Sequence, residues 1–126
     1  MHRRTLFAAI AAAAMLVAGG SAYTQQQLSI ATGGTGGVYY PMGGGLGNIL
    51  GKELPGITAT AQVTGGSVAN LQLIGSGKAD IAFTQVDAAW GAHIARDKFP
   101  NKLPIRALAV LYPNHMHVVT IEGTGI

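Results

Sequence analysis

The chain has 126 residues, of which 48% are hydrophobic and 10% are charged, and it contains no cysteine. This composition is typical of a globular protein and excludes a disordered chain or a disulfide framework. The formal net charge is +3, but the basic residues are scattered, which argues against a nucleic-acid-binding surface.

Residues 1–22 carry the pattern of a secretory signal peptide. A basic start at residues 3–4 precedes an apolar stretch at residues 6–18, and small residues follow at 20–22. The apolar stretch is shorter than the roughly 20 residues that span a bilayer, so we expect cleavage and no stable membrane insertion afterwards. With no cysteine to carry a lipid, this pattern predicts a periplasmic protein. A retained N-terminal anchor is the alternative.

The first strand is predicted at residues 28–32, and a glycine-rich run at residues 33–37 follows it. A helix is predicted from about residue 38 to residue 54, with Pro41 in its first turn, where a missing N–H is tolerated. Glycines at positions 43, 44, 45 and 47 each cost about 1 kcal/mol relative to alanine in a helix. They predict very close packing of this helix against the sheet, or against a ligand and a second lobe at its start.

The same succession of strand, glycine turn and helix occurs a second time. Residues 57–63 alternate between apolar and polar side chains, which predicts a second strand. Ser67 is the predicted N-cap of a second helix over residues 68–76, and Gly77 is placed to end it.

Further along, residues 80–84 predict a third strand, and a third helix is expected to end near residue 96. A fourth strand is predicted at residues 105–112, and a fifth at residues 115–121. Strands alternating with helices at this spacing predict an α/β fold with a mostly parallel sheet flanked by helices. Ligands of such sheets bind outside the carboxyl ends of the strands, where the turns at residues 32–37, 64–67 and 84–87 should meet.

These three turns predict a binding site for an anionic group. Helix N-termini present free backbone N–H groups and the positive end of the helix dipole, and two adjacent tyrosines add an apolar wall with hydroxyls. The alternative is that the glycines only form tight corners. The predicted ligand contacts are Thr35, Gly36, Gly37, Tyr39, Tyr40, Gly66, Ser67, Asn70, Gln85 and Asp87.

Other chemistries match the sequence less well. The glycine run lacks both the G-x-G-x-x-G and the G-K-[ST] patterns of nucleotide sites, so no cofactor is predicted. The turns contain no histidine to serve as a base, and Asp80 and Asp87 are expected at opposite ends of their strand, so no catalytic residue is predicted. His115 and His117 lack a third ligand nearby, so no metal site is predicted.

Residues 31–44 (ATGGTGGVYYPMGG), 64–71 (TGGSVANL) and 79–87 (ADIAFTQVD), together with residues 106–113, resemble the TAXI family of solute-binding receptors. These receptors serve TRAP (tripartite ATP-independent periplasmic) transporters. The resemblance covers essentially all of the chain after residue 22. It implies a two-lobed periplasmic binding protein of type II, which closes on its solute and delivers it to an ion-gradient-driven membrane permease. The implied solutes are small carboxylates of the glutamate, glutamine or 2-oxoglutarate class.

Members of that family are more than twice as long as this chain. The resemblance therefore implies that residues 23–126 are the N-terminal part of the first lobe, truncated before the second, and that their own solute affinity is poor. Two other functions remain open at this point: a periplasmic sensory or partner-binding module, and a fragment of an exported enzyme.

Overall fold

A computed structural model describes residues 25–115 and 117–125. The predicted signal peptide lies outside the described residues. Among those described, no helix combines the length and apolar character needed to cross a membrane.

Three strands and three helices alternate along the described chain. The strands are parallel and lie in the order β2-β1-β3, which confirms the predicted α/β class with a parallel sheet flanked by helices. The first six predicted elements also agree with the structure in kind and order. The elements are β1 (Gln26–Ala31), α1 (Tyr39–Glu53), β2 (Ile57–Gln62), α2 (Ser67–Gly75), β3 (Ile81–Ala82) and α3 (Val86–Ile94).

The central strand β1 pairs with a neighbour on each side. Its ladder with β2 runs along the whole strand, whereas its ladder with β3 involves only Ile30 and Ala31. Through α1 the chain moves from β1 to its neighbour β2 on one side of the sheet. Through α2 it then returns past β1 to β3 on the other side, in the opposite direction. Right-handed crossovers therefore place α1 and α2 on opposite faces of the sheet.

The Asp80 carboxylate extends the short contact between β1 and β3. The backbone N–H of Asp80 donates to the Ser29 carbonyl at 2.9 Å, and its Oδ2 accepts the Ser29 N–H at 2.8 Å. The Asp80 side chain thus gives a hydrogen-bond partner to the Ser29 N–H of β1, which lies outside the ladder with β3. Asp80 precedes β3 and Asp87 follows it, at opposite ends of the strand as predicted.

The glycines of α1 fall into two groups. Gly43 and Gly47, one turn apart, face the sheet: a Cβ at Gly43 would overlap the Thr32 side chain, and one at Gly47 would meet the Ala59 carbonyl oxygen at 2.7 Å. At Gly44 and Gly45, a Cβ would have no described atom within 4 Å. The predicted close packing of α1 on the sheet is therefore confirmed for Gly43 and Gly47 and does not involve Gly44 or Gly45.

An apolar cluster lies between α2, α3 and the segment that follows them. Leu71, Ala92 and Phe99 are buried there. The Leu103 N–H donates to the Ala92 carbonyl at 2.9 Å, which fixes the chain against α3 as far as Ile105.

Beyond Ile105 the structure differs from the prediction. The described residues of the predicted fourth strand, 105–112, and of the predicted fifth strand, 115 and 117–121, form no strand, so these two predictions are wrong. Leu108, Val110 and Val119 are 82%, 95% and 87% exposed. An apolar segment becomes a strand only where a neighbouring strand pairs with its backbone, and no described strand pairs with this one.

We expect Gly47→Ala to lower the free energy of unfolding by about 1–3 kcal/mol, because the added methyl group collides with a backbone carbonyl of β2. Gly44→Ala is the matched control in the same helix. Because its Cβ enters open space, it should raise the free energy of unfolding by about 0.5–1 kcal/mol. Urea unfolding followed by circular dichroism measures both changes, and equal effects would contradict the packing of α1.

Candidate functional site

The three helices begin at the same edge of the sheet. Each helix starts a few residues after a strand: α1 at Tyr39, α2 at Ser67 and α3 at Val86. Because the strands are parallel, these N-termini lie beyond their carboxyl ends. Apart from Pro41, which has no N–H, the residues of each first helical turn have N–H groups with no backbone partner within their helix, at the positive end of its dipole. We call residues 32–40, 64–70 and 84–88 the carboxyl edge.

The first turn leads from β1 into α1 through exposed residues. Thr35, Gly36 and Gly37 are exposed, and the Gly37 N–H donates to the Gly34 carbonyl at 2.9 Å. Tyr39 and Tyr40 follow and are half-buried. The predicted contacts of this turn are thus accessible on the carboxyl edge.

The Tyr39 ring connects the first turn to the end of β3. It packs against Phe83 with ring centroids 5.5 Å apart and the planes tilted by 33°. Gly33 lies beside the same ring, because a Cβ there would be 3.7 Å from Tyr39 Cδ2. This packing holds the tyrosine in place as one wall of the edge.

Ser67 connects the second and third turns. Its Oγ accepts the backbone N–H of Gln85 at 3.0 Å. The prediction that Ser67 is the N-cap of α2 is wrong: the N-cap is Gly66, whose φ of 90° favours glycine, and Ser67 is the first helical residue. The hydroxyl bonds to a neighbouring turn, so it is not used to cap its own helix.

The third turn brings Gln85 and Asp87 to the start of α3. Gln85 is the N-cap in an extended conformation, and Asp87 lies in the first helical turn. Both side chains are exposed, and Asp87 Oδ1 accepts the Ala88 N–H at 2.7 Å. A carboxylate is favourable at this end of the helix dipole, and it offers a partner to a cationic group on a ligand.

Asn70, predicted as a ligand contact, is instead fully buried, with an exposed fraction of 0%. Its Nδ2 donates to the carbonyls of Thr32 and Phe83, and its Oδ1 accepts the Thr64 hydroxyl. These bonds direct its amide into the protein, so Asn70 belongs to the carboxyl edge by position but faces its interior. The other nine predicted contact residues also lie on the carboxyl edge.

The electrostatics of the carboxyl edge depend on the backbone. Its residues include no lysine or arginine, and Asp87 is their one charged side chain. Attraction for an anion must therefore come from N–H groups and helix dipoles rather than from basic side chains.

Two surface depressions flank this edge. One, of about 430 Å³, runs from Thr64 and Gly65 along α2 to Lys78. The other, of about 340 Å³, lies between Asp87, Trp90 and the residues that follow α3. The second and third turns contribute to these depressions, whereas the first-turn residues line neither, and residues 34–38 are exposed. Among the described residues, no group of three acidic, histidine or cysteine side chains is placed to hold a metal ion.

Tyr112, which the sequence analysis did not predict as a contact, lies near Tyr39 of the carboxyl edge. Burial raises the pKa of the Tyr112 phenol, and the nearby Tyr39 phenol raises this pKa further. Tyr112 is half-buried, although Val110 and Leu111 before it are exposed.

A comparison with known protein families matches residues 30–126 to the NMT1-like family. The match begins in β1 and includes every residue of the carboxyl edge. Membership indicates a solute-binding protein with a small-molecule ligand, in a family whose members are generally not catalytic. Because the match spans most of the sequence, the chain belongs to the NMT1-like family.

Proposed function

We propose that this protein binds a small carboxylate solute in the periplasm, as a TAXI-type receptor for a TRAP secondary transporter. The observation that carries the proposal is the meeting of three helix N-termini at one sheet edge without basic side chains. Family membership supports solute binding, and the segments at residues 31–44, 64–71 and 79–87 support the transporter class. The location rests on the signal pattern of residues 1–22.

The proposed ligand contact is a carboxylate held by backbone N–H groups. The N–H groups at the starts of α1 and α2 donate to its oxygens, which makes charge-assisted hydrogen bonds of the kind that helix N-termini form with anions. Tyr39 and Tyr112 supply apolar surface on one side. Gln85 and Asp87 contact the remaining polar groups of the solute, including an ammonium group where there is one.

Binding to this open edge is expected to be weak, because high affinity for small molecules requires that most of the ligand surface be buried. In the proposed receptor, a second lobe covers the solute from the opposite side and hands it to the permease after closure. The glutamate, glutamine and 2-oxoglutarate class fits an edge that binds one carboxylate through amides.

Nuclear magnetic resonance titration of the ¹⁵N-labelled protein with glutamate and 2-oxoglutarate tests this function. We expect fast-exchange shifts of backbone amides at the starts of α1, α2 and α3, because a carboxylate there changes their hydrogen bonding. Glutaramide, which is uncharged and of the same chain length, is the control and should cause no such shifts. Equal responses to both compounds, or shifts confined to the depression along α2, would contradict carboxylate binding at the edge.

Gln85→Glu should weaken carboxylate binding by about fivefold, because it places a second negative charge beside the proposed site. Added salt should reduce the difference, since exposed charges are screened. Gln27→Glu is the matched control: it makes the same chemical change in β1, toward the other end of the sheet, and should leave affinity unchanged. The same titration measures both variants, and equal losses would show that the effect is not local to the carboxyl edge.

A further inference from the structure

A single buried side chain is bonded to the ends of all three strands. The Asn70 amide nitrogen donates to the Thr32 carbonyl and, at 2.7 Å, to the Phe83 carbonyl. These two residues directly follow β1 and β3. The Asn70 carbonyl oxygen accepts the hydroxyl of Thr64, which lies in the turn after β2. One amide thus joins the strand ends that precede the three helix N-termini.

The three hydrogen bonds of the Asn70 amide suit an asparagine side chain. A primary amide has two N–H donors and a carbonyl acceptor, and here the nitrogen donates two hydrogen bonds while the oxygen accepts one. An ionised aspartate would turn acceptors toward two buried carbonyls, and leucine would leave both without this donor. Because Asn70 is fully buried, no water at the surface can replace the lost bonds.

Thr64 connects the Asn70 amide to the backbone at the start of α2. Its hydroxyl donates to Asn70 and accepts the N–H of Gly66, the N-cap, at 3.1 Å. The Gly66 carbonyl in turn accepts the backbone N–H of Asn70 at 2.9 Å. The three residues therefore form a closed set of hydrogen bonds that fixes the helix N-terminus relative to the strand ends.

We infer that Asn70 is a positioning residue that holds the three turns of the carboxyl edge as one unit, with Thr64 completing the connection. It acts through the backbone and does not touch the solute. The consequence for ligand affinity rests on the proposed function. N–H groups from separate helices bind one carboxylate well only when their spacing is held to within about 0.5 Å, and buried polar networks provide that precision.

The competing interpretation is that Asn70 only stabilises the interior. Under that interpretation, loss of a bond to Asn70 lowers the free energy of unfolding but leaves the geometry of the other turns unchanged. Asn70→Leu removes three bonds at once and risks loss of the fold, so the test uses Thr64. Thr64→Val keeps the shape of the side chain and removes the hydroxyl, whereas Thr64→Ser keeps the hydroxyl.

The measurement is the ¹H–¹⁵N spectrum of the ligand-free wild type and both variants. The reporters are the Asn70 side-chain NH₂ group and the backbone amide of Thr84, which adjoins the Phe83 carbonyl. We expect Thr64→Val to shift both reporters and Thr64→Ser to retain wild-type positions. If Thr64→Val leaves the Thr84 amide unmoved, with or without a shift of the Asn70 group, Asn70 does not couple the turns and the inference is wrong.

The second measurement is the glutamate and 2-oxoglutarate titration of the same variants, at a temperature where unfolding experiments show them folded. We expect affinity about fivefold lower for Thr64→Val and unchanged for Thr64→Ser. Shifted reporters with unchanged affinity would overturn the positioning role. If the wild type binds neither compound, the proposed function fails, while the ligand-free spectra still decide whether Asn70 holds the turns together.

Discussion

Parallel pairing of β1 with a strand on each side is the constraint on which the rest of the structure depends. It directs the carboxyl ends of three strands to one edge, so that the following helices all begin there. The polarity of that edge then follows from the backbone, because every helix presents free N–H groups at its start. The proposed binding of a carboxylate therefore depends mainly on the topology of the sheet, which brings the helix N-termini together, and less on side chains.

Buried contacts fix the positions of the helices and turns relative to the sheet. Gly43 and Gly47 let α1 approach the sheet closely, and the bonds of Asn70 and Ser67 hold the second and third turns in place. Family membership indicates a small-molecule ligand, and the proposed function assigns that ligand to this edge. Gln85 and Asp87 are exposed at this edge, where they can meet the polar groups of the proposed solute.

The sequence was most informative where structure depends on local pattern. Period-two alternation in β2 and the glycine runs after β1 and β2 predicted the first six elements and their meeting at one edge. Features that depend on distant residues were not predictable: Ser67 bonds to a backbone group 18 residues away, and Asn70 to one 38 residues away. The strand pattern at residues 105–112 failed for the same reason, because no described strand pairs with it.

The shortness of β3 has a consequence for the behaviour of the protein at high concentration. A two-residue edge strand offers little free backbone for pairing with another molecule, and the Asp80 carboxylate occupies the adjoining β1 N–H. The exposed apolar side chains after Ile105 would favour such intermolecular pairing. The Asp80 carboxylate and the two-residue length of β3 therefore reduce the free backbone that β3 and the adjoining Ser29 offer to another molecule.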